Sequence, residues 1–315
     1  MNLRVTSSTT IREAVKLFLQ SSELENKSPN SIRAYKSDLN NFVEFISNIP
    51  ISQLTEETVA QYRELLLQTT TAKSTFNRKI ASLRSFLKFL NLQGVNNINL
   101  GILRSVKLKN KEAIYITEAE ANTLFALLNT KINNLKHQPL TTVTIDQILS
   151  VLKYQALFTL LWNTGLRIQE ALELKIDDLD LDEKQILVTG KGGKRRYVPI
   201  NTKTRDMLKN YIQKAKQLQK IRTYIFPGPD PEIPLSYTQA HRVFKEDLKQ
   251  AGITRNLTLH SIRHGFAAKA IQKGMDFKTL QLILGHASPT VTLNVYSHIP
   301  TKHIKQLYEH IFEEK

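Results

Sequence analysis

The sequence predicts a mainly α-helical protein of two domains, with a small antiparallel β-sheet in the second. Three observations carry this. Apolar residues recur every three or four positions through the first hundred residues. That period is lost over residues 95–113 and resumes beyond them. Only between Gln185 and Ile200 does it give way to two short strand-like runs around a pair of glycines. A chain of 315 residues is long for one ordinary domain and comfortable for two.

The elements follow in order. Thr9 and Thr10 can cap a helix carrying Ile11, Val15, Leu17, Phe18 and Leu19. Ser28-Pro29 opens a second, with Ile32, Tyr35, Leu39, Phe42, Phe45 and Ile46 on its apolar face. Thr55-Glu56-Glu57 starts a third through Val59, Tyr62 and residues 65–67. A fourth runs from Ser74 through Phe76, Ile80, Leu83, Phe86 and Leu90 to a stop at Gly94. Four amphipathic helices of this kind form a small bundle, assigned to residues 1–104.

Residues 95–113 carry Arg104, Lys107, Lys109 and Lys111 and read as a basic, solvated linker, with the boundary itself at 105–113. The second domain is then 114–315. Thr117 and Glu120 cap a helix through Leu124, Leu127 and Leu128. Residues 130–146 are polar, end in a threonine-rich run and read as a loop. Ile148–Asn163 is an apolar helix central to the second core. Two strands, 185–190 and 197–200, flank KGGKRR. Helices are expected again at 202–220, 236–251, 258–273, 276–284, 290–296 and near 301–313.

Composition narrows the function classes. The chain has no cysteine, which excludes disulfides, thiolate nucleophiles and cysteine metal sites. It has no run of 18 apolar residues and no apolar signal core at its N-terminus, so the expected place is the cytoplasm, on the nucleoid. The net charge is +16. Residues 1–100 hold 12 Lys and Arg against 8 Asp and Glu, and residues 101–315 hold 32 against 20. Both parts are basic, a balance that favours nucleic acid through release of phosphate counterions.

Four stretches could carry chemistry. In NTGLRIQEALEL, Arg167 follows a glycine that ends an apolar helix, and Glu170 stands three residues on, within pairing reach. In TGKGGKRRYVPI, Lys191, Lys194, Arg195 and Arg196 surround Gly192-Gly193, a basic hairpin tip suited to a DNA groove. In LTLHSIRHGF, His260 and Arg263 lie one helical turn apart on one face, whereas His264 should point elsewhere and be structural. In LGHASPTVTLNVYSHI, His286 precedes Tyr296 by ten residues. An alternative for 276–296 is a helix-turn-helix with Leu280, Leu284, Gly285 and Val291 in its core.

These groups answer one need. Breaking a DNA phosphodiester without a metal requires a nucleophile, neutralisation of the phosphate oxygens and a proton for the departing 5′ oxygen. Arg167 and Arg263 can clamp the non-bridging oxygens. His260 and His286 can donate hydrogen bonds and move protons. Lys191 can protonate the leaving group, and Tyr296 can form a covalent phosphotyrosyl link. No carboxylate cluster suits two Mg²⁺ ions, so neither metal nor cofactor is expected.

Arg167 in TGLRIQE, Lys191 in GKGGKRR, His260-x-x-Arg263, Gly285-His286 and Tyr296 together resemble the signature of the tyrosine recombinases, the phage-integrase family. Order and flanks agree over residues 167–296, and the helical first hundred residues resemble that family's SAM-like core-binding domain. The resemblance implies a two-domain clamp on duplex DNA with inverted-repeat core sites. It implies catalytic roles for Arg167, Lys191, His260, Arg263 and His286, with Tyr296 as nucleophile and Glu170 supporting the site. It further implies a homotetramer that exchanges strands through 3′-phosphotyrosine links and a Holliday junction, with accessory proteins in some members.

Three positions depart from the common pattern: Leu259 in place of Pro, Gly265 where Ser or Thr is frequent, and a gap of ten rather than nine before Tyr296. No arm-site domain is expected ahead of residue 9, so the compact Xer-like members are the closer comparison. Ile304, Leu307, Tyr308, Ile311 and Phe312 form an apolar stripe on a terminal helix, which the family pattern inserts into a neighbouring protomer. Two other readings stay open at this point: a type IB topoisomerase, which shares the chemistry without site choice, and a DNA-binding regulator with the fold but no catalysis.

Overall fold

The computed structural model describes residues 4–107, 114–190 and 193–285. The chain divides into two compact units, Met1–Asn110 and Lys111–Lys315. Each has its own hydrophobic core.

The first unit is built on four helices: α1 (Ile11–Leu24), α2 (Pro29–Ile46), α3 (Glu56–Thr69) and α4 (Lys73–Leu92). Their starts follow the side-chain chemistry. Thr10 accepts the Glu13 backbone N–H while Glu13 accepts that of Thr10, a reciprocal cap on α1. Ser28 caps α2 with Pro29 in its first turn, and Thr55 caps α3. Phe42, Phe76, Ile80, Leu83 and Phe86 close the centre, and the Phe18 ring meets Tyr35, Phe86 and Phe89 at centroid distances of 5.2, 5.8 and 5.6 Å. Gly94, at φ +70°, turns the chain off the end of α4.

The stretch after Gly94 differs from the solvated linker its composition suggests. Ile98 and Leu103 are fully buried in the first core. The side chains of α4 replace the helical bonds this segment lacks: Arg84 donates to the Leu103 carbonyl, Asn91 to that of Ile98, and the Asn77 amide both donates to and accepts from Val106 at 2.9 Å. Two buried apolar residues without helical spacing leave no periodic signal. Residues 108–113 lie outside the described residues.

The second unit opens with α5 (Glu118–Lys136) and α6 (Thr142–Thr164). The loop expected over 130–146 is therefore short. α5 continues to Lys136, and the threonine-rich run is the cap of α6, with Thr141 accepting the Thr144 backbone N–H. α6 is the axis of the core. From Tyr154 to Trp162 every residue is buried, so this half of the helix has no polar face and shows no amphipathic stripe. Helix α7 (Ile168–Leu172) follows directly.

A three-stranded antiparallel sheet runs β1 (Leu179–Asp180), β2 (Gln185–Thr189), β3 (Arg195–Pro199) in that order. Ile186, Val188 and Val198 face the core, with Ile186 opposite Val198 and Thr189 opposite Arg195. Strand β1 is too short to carry a readable alternation. Gly193, at φ +74°, belongs to the β2–β3 turn, where Gly190 donates to the Lys194 carbonyl at 2.7 Å.

The rest of the unit is α8 (Thr202–Gln217), α9 (Tyr237–Gln250), α10 (Leu259–Gln272) and α11 (Phe277–Leu284). The expected helices at 290–296 and 301–313 lie outside the described residues. Leu280 and Leu284 are buried against Phe266, Ala267 and Ile271, which docks α11 on α10. Among the described residues, no helix is long and apolar enough to cross a membrane.

Candidate active site

Three elements that are distant in sequence meet at the C-terminal end of α11. Gly165 ends α6 in the left-handed conformation, at φ +63°, and turns the chain into Arg167, the cap residue of α7. Glu170 sits one turn into α7 and is 8% exposed. Its carboxylate accepts the Arg167 backbone N–H and the Arg167 Nη1, both at 2.9 Å. The pair predicted from its three-residue spacing thus forms, and it fixes the direction of the Arg167 side chain.

From α10, Arg263 enters the same place. It is 3% exposed, donating from Nη1 to the Gly165 carbonyl at 2.7 Å and from Nη2 to the Leu284 carbonyl at 3.0 Å. Arg167 reaches the Leu284 carbonyl at 3.4 Å and that of Gly285 at 3.0 Å. Two guanidinium groups almost a hundred residues apart in sequence therefore share one carbonyl oxygen. The last carbonyls of a helix have no partner within it and carry its partial negative charge, which is why cations collect there.

His260 stands on the same helix as Arg263 and stays exposed at the mouth of this cluster. Partial desolvation of its ring, then the nearby charges of Arg263 and Arg167, hold its pKa below the ordinary 6.5. His264 does not point away. Its ring meets that of His260 edge-on, with centroids 4.6 Å apart, because residues four apart on a helix share a face.

Burial alone would push the Glu170 pKa up. The hydrogen bonds from Arg196 and from the Arg167 backbone, with the charges behind them, outweigh that and hold it below the usual carboxylate value. The partnership with Arg196 is not what the sequence suggests. Grouped with Lys194 and Arg195 as a DNA contact, Arg196 is instead turned inward. It donates to both Glu170 oxygens at 3.1 and 2.9 Å, and to the Ile283 and Leu284 carbonyls at 3.0 and 3.4 Å. Consecutive residues of a strand point to opposite faces, so a run of basic residues there cannot face one partner as a block. Lys194 and Arg195 are exposed.

Arg167, Glu170, His260 and Arg263 are thus brought together, and Arg196 joins them. Lys191, His286 and Tyr296 lie outside the described residues. Gly265, which departs from the Ser or Thr frequent in the family, has a local reason. A Cβ there would fall 2.5 Å from the Ile116 carbonyl oxygen and 2.6 Å from the Trp162 ring.

Comparison with known proteins gives the same family over both units. The phage integrase family matches residues 115–303, and the phage integrase N-terminal SAM-like domain matches residues 15–94. Tyrosine recombinase XerC of Halalkalibacterium halodurans is 30% identical over 295 residues, covering 90% of this chain and 91% of its own. Tyrosine recombinase XerC of Thermodesulfovibrio yellowstonii is 28% identical over 289 residues, covering 90% of each. In fold, the chain resembles the XerH site-specific recombinase bound to palindromic difH substrate, with a TM-score of 0.71 at 20% identity over 96% of this chain and 85% of that one. It also resembles a lambda integrase dimer bound to a core site, with a TM-score of 0.67 at 16% identity over 93% and 79%. The chain belongs to the phage integrase family and is a Xer-like site-specific tyrosine recombinase.

Proposed function

We propose that the second unit cuts and rejoins duplex DNA through a covalent link to Tyr296. The Tyr296 hydroxyl gives its proton to His260 or His286, and its oxygen attacks the scissile phosphorus. The bond from phosphorus to the 5′ oxygen breaks, and that oxygen leaves with a proton from Lys191. The product is a 3′-phosphotyrosyl link and a free 5′ hydroxyl, and attack by the 5′ hydroxyl of another strand reverses the step. The link conserves the bond energy, so rejoining needs no energy-rich cofactor.

Arg167 and Arg263 carry the electrostatic part, donating to the non-bridging oxygens as charge builds on them. His260 and His286 donate hydrogen bonds and shuttle protons, and Glu170 holds Arg167 in place. Lys194 and Arg195 contact the DNA backbone beside the cleaved bond. The observation that carries this reading is the convergence of Arg167 and Arg263 on the Leu284 carbonyl with His260 beside them. Guanidinium groups on the same oxygen lie close enough to grip the oxygens of one phosphate.

The partner is duplex DNA with inverted-repeat core sites, bound by residues 1–104 and 114–315 as two arms joined at 105–113. Four protomers exchange strands in pairs through a Holliday junction, linked by the terminal stripe of Ile304, Leu307 and Ile311, with accessory proteins as a further element. The place of action is the nucleoid. A nicked suicide substrate carrying a candidate site tests the reaction: the protein should form a covalent adduct, and Tyr296→Phe should not. Absence of any adduct with the wild-type protein on its genomic repeats would falsify the reading.

A further inference from the structure

Arg196 is the cation of this cluster that the scheme above leaves without a task. Its side chain is 16% exposed against 38% for Arg167, although both lie against the same carboxylate. Both donate to Glu170 Oε1, Arg196 as the more buried of the two and Arg167 as the more exposed. One carboxylate cannot neutralise two guanidinium groups, so a net positive charge remains, and the geometry places it on the outward-facing Arg167. The other donors of Arg196 tie down the carbonyls of Ile283 and Leu284, the last turn of α11. Gly285 then closes over the guanidinium. A Cβ there would fall 2.8 Å from the Arg196 Cζ, and its φ is +62°.

We propose that Arg196 is a positioning residue of the phosphate clamp. It takes up the Glu170 carboxylate from inside, leaving Arg167 its charge for phosphate, and it pins the end of α11 to strand β3. Residue 286 follows Gly285 directly, and in sequence Lys191 lies between β2 and β3. One planar fork therefore ties together the chain segments leading to two groups of the reaction. A planar guanidinium can do this and an ammonium cannot, because it donates to a carboxylate through two parallel bonds while its Nε points elsewhere.

This rests on the recombinase reading, and the experiment separates the two. Wild type, Arg196→Ala, Arg196→Lys and the double variant Arg196→Ala/Glu170→Gln are compared on the nicked suicide substrate and in binding assays across a salt series. The expected result for Arg196→Ala is wild-type affinity with an unchanged salt slope, and adduct formation slower by on the order of 100-fold. Arg196→Lys keeps the charge but loses the fork, and should recover only part of the rate. In the double variant a neutral amide no longer draws on Arg167, so the rate should exceed that of Arg196→Ala.

A loss of affinity with a salt slope shallower by about one would make Arg196 a phosphate contact and overturn the proposal. So would wild-type cleavage by Arg196→Ala, or a double variant no faster than the single one. If Arg196→Ala does not fold, Arg196→Lys carries the test: normal affinity with slow cleavage supports the proposal, and normal cleavage sinks it. A wild-type protein that forms no adduct speaks against the recombinase reading instead.

Discussion

A Cβ at residue 165 would lie 2.3 Å from the Phe266 ring and 2.7 Å from Leu284, in backbone at φ +63°. Neither neighbour can retreat, since both belong to the small core that docks α11 on α10. Gly165→Ala should therefore destabilise the second unit by roughly 2–4 kcal/mol, combining overpacking with left-handed strain. Chemical denaturation measures this, and a loss below about 1 kcal/mol would show that the helix pair can move apart. Because Arg263 donates to the Gly165 carbonyl, cleavage should fall further than stability explains.

Protonation of the His260 ring opposes folding. Its pKa lies lower in the folded protein than in the unfolded chain, so the unfolded state binds the proton more tightly. The neutral ring's contribution to stability is complete above about pH 6.5 and is lost as pH falls toward the lower folded value. An NMR titration of the ring should give a midpoint below 6.5 in the free protein, and His260→Gln should flatten the stability profile across that window. A midpoint above 6.5 would contradict the placement of the ring beside two arginines. Glu170 behaves in the usual carboxylate sense, its support present above about pH 4.5 and lost below as it protonates.

At the scale of elements, helix starts were the most legible feature, because a cap is local chemistry. Thr10, Ser28, Thr55 and Thr117 each accept a backbone N–H where the sequence places a start. Thr117→Ala should cost about 1 kcal/mol in denaturant unfolding. The loss should exceed that of Thr123→Ala, an exposed change on the same helix, because the Glu120 carboxylate bonded to Thr117 also accepts Arg255. Equal losses would argue that the cap has no special role. Illegible were elements held by tertiary contact. Helix α7 has five residues, too few to stand on propensity, and exists because Glu170 and Arg167 close its first turn. The run through Ile98 and Leu103 has no period because side chains of α4, not its own backbone, satisfy it.

For the whole molecule, the balance of +16 implies that affinity for DNA is governed by counterion release. Binding to any duplex should weaken steeply between 50 and 200 mM salt, roughly 10³-fold or more if six phosphates are contacted. A salt-independent affinity would remove the electrostatic argument. Deleting residues 302–315 should abolish recombination while leaving binding of a single protomer to a half-site largely intact. If the truncated chain no longer folds, the terminal stripe belongs to its own domain rather than to a neighbour.

The helical class, the hairpin, the basic character and the candidacy of Arg167, Glu170, His260 and Arg263 are legible in the order of the amino acids alone. These rest on local spacing, capping and ordered motifs, all of which survive in one dimension. What those groups touch depends on how the elements pack. That packing turned Arg196 inward onto Glu170 and made the carbonyls of Leu284 and Gly285 the acceptors on which the arginines converge. No residue type marks a helix end as an acceptor for side chains from three other segments. That property belongs to the unpaired carbonyls of a packed helix, and it arises only when α7, α10, α11 and β3 have folded together.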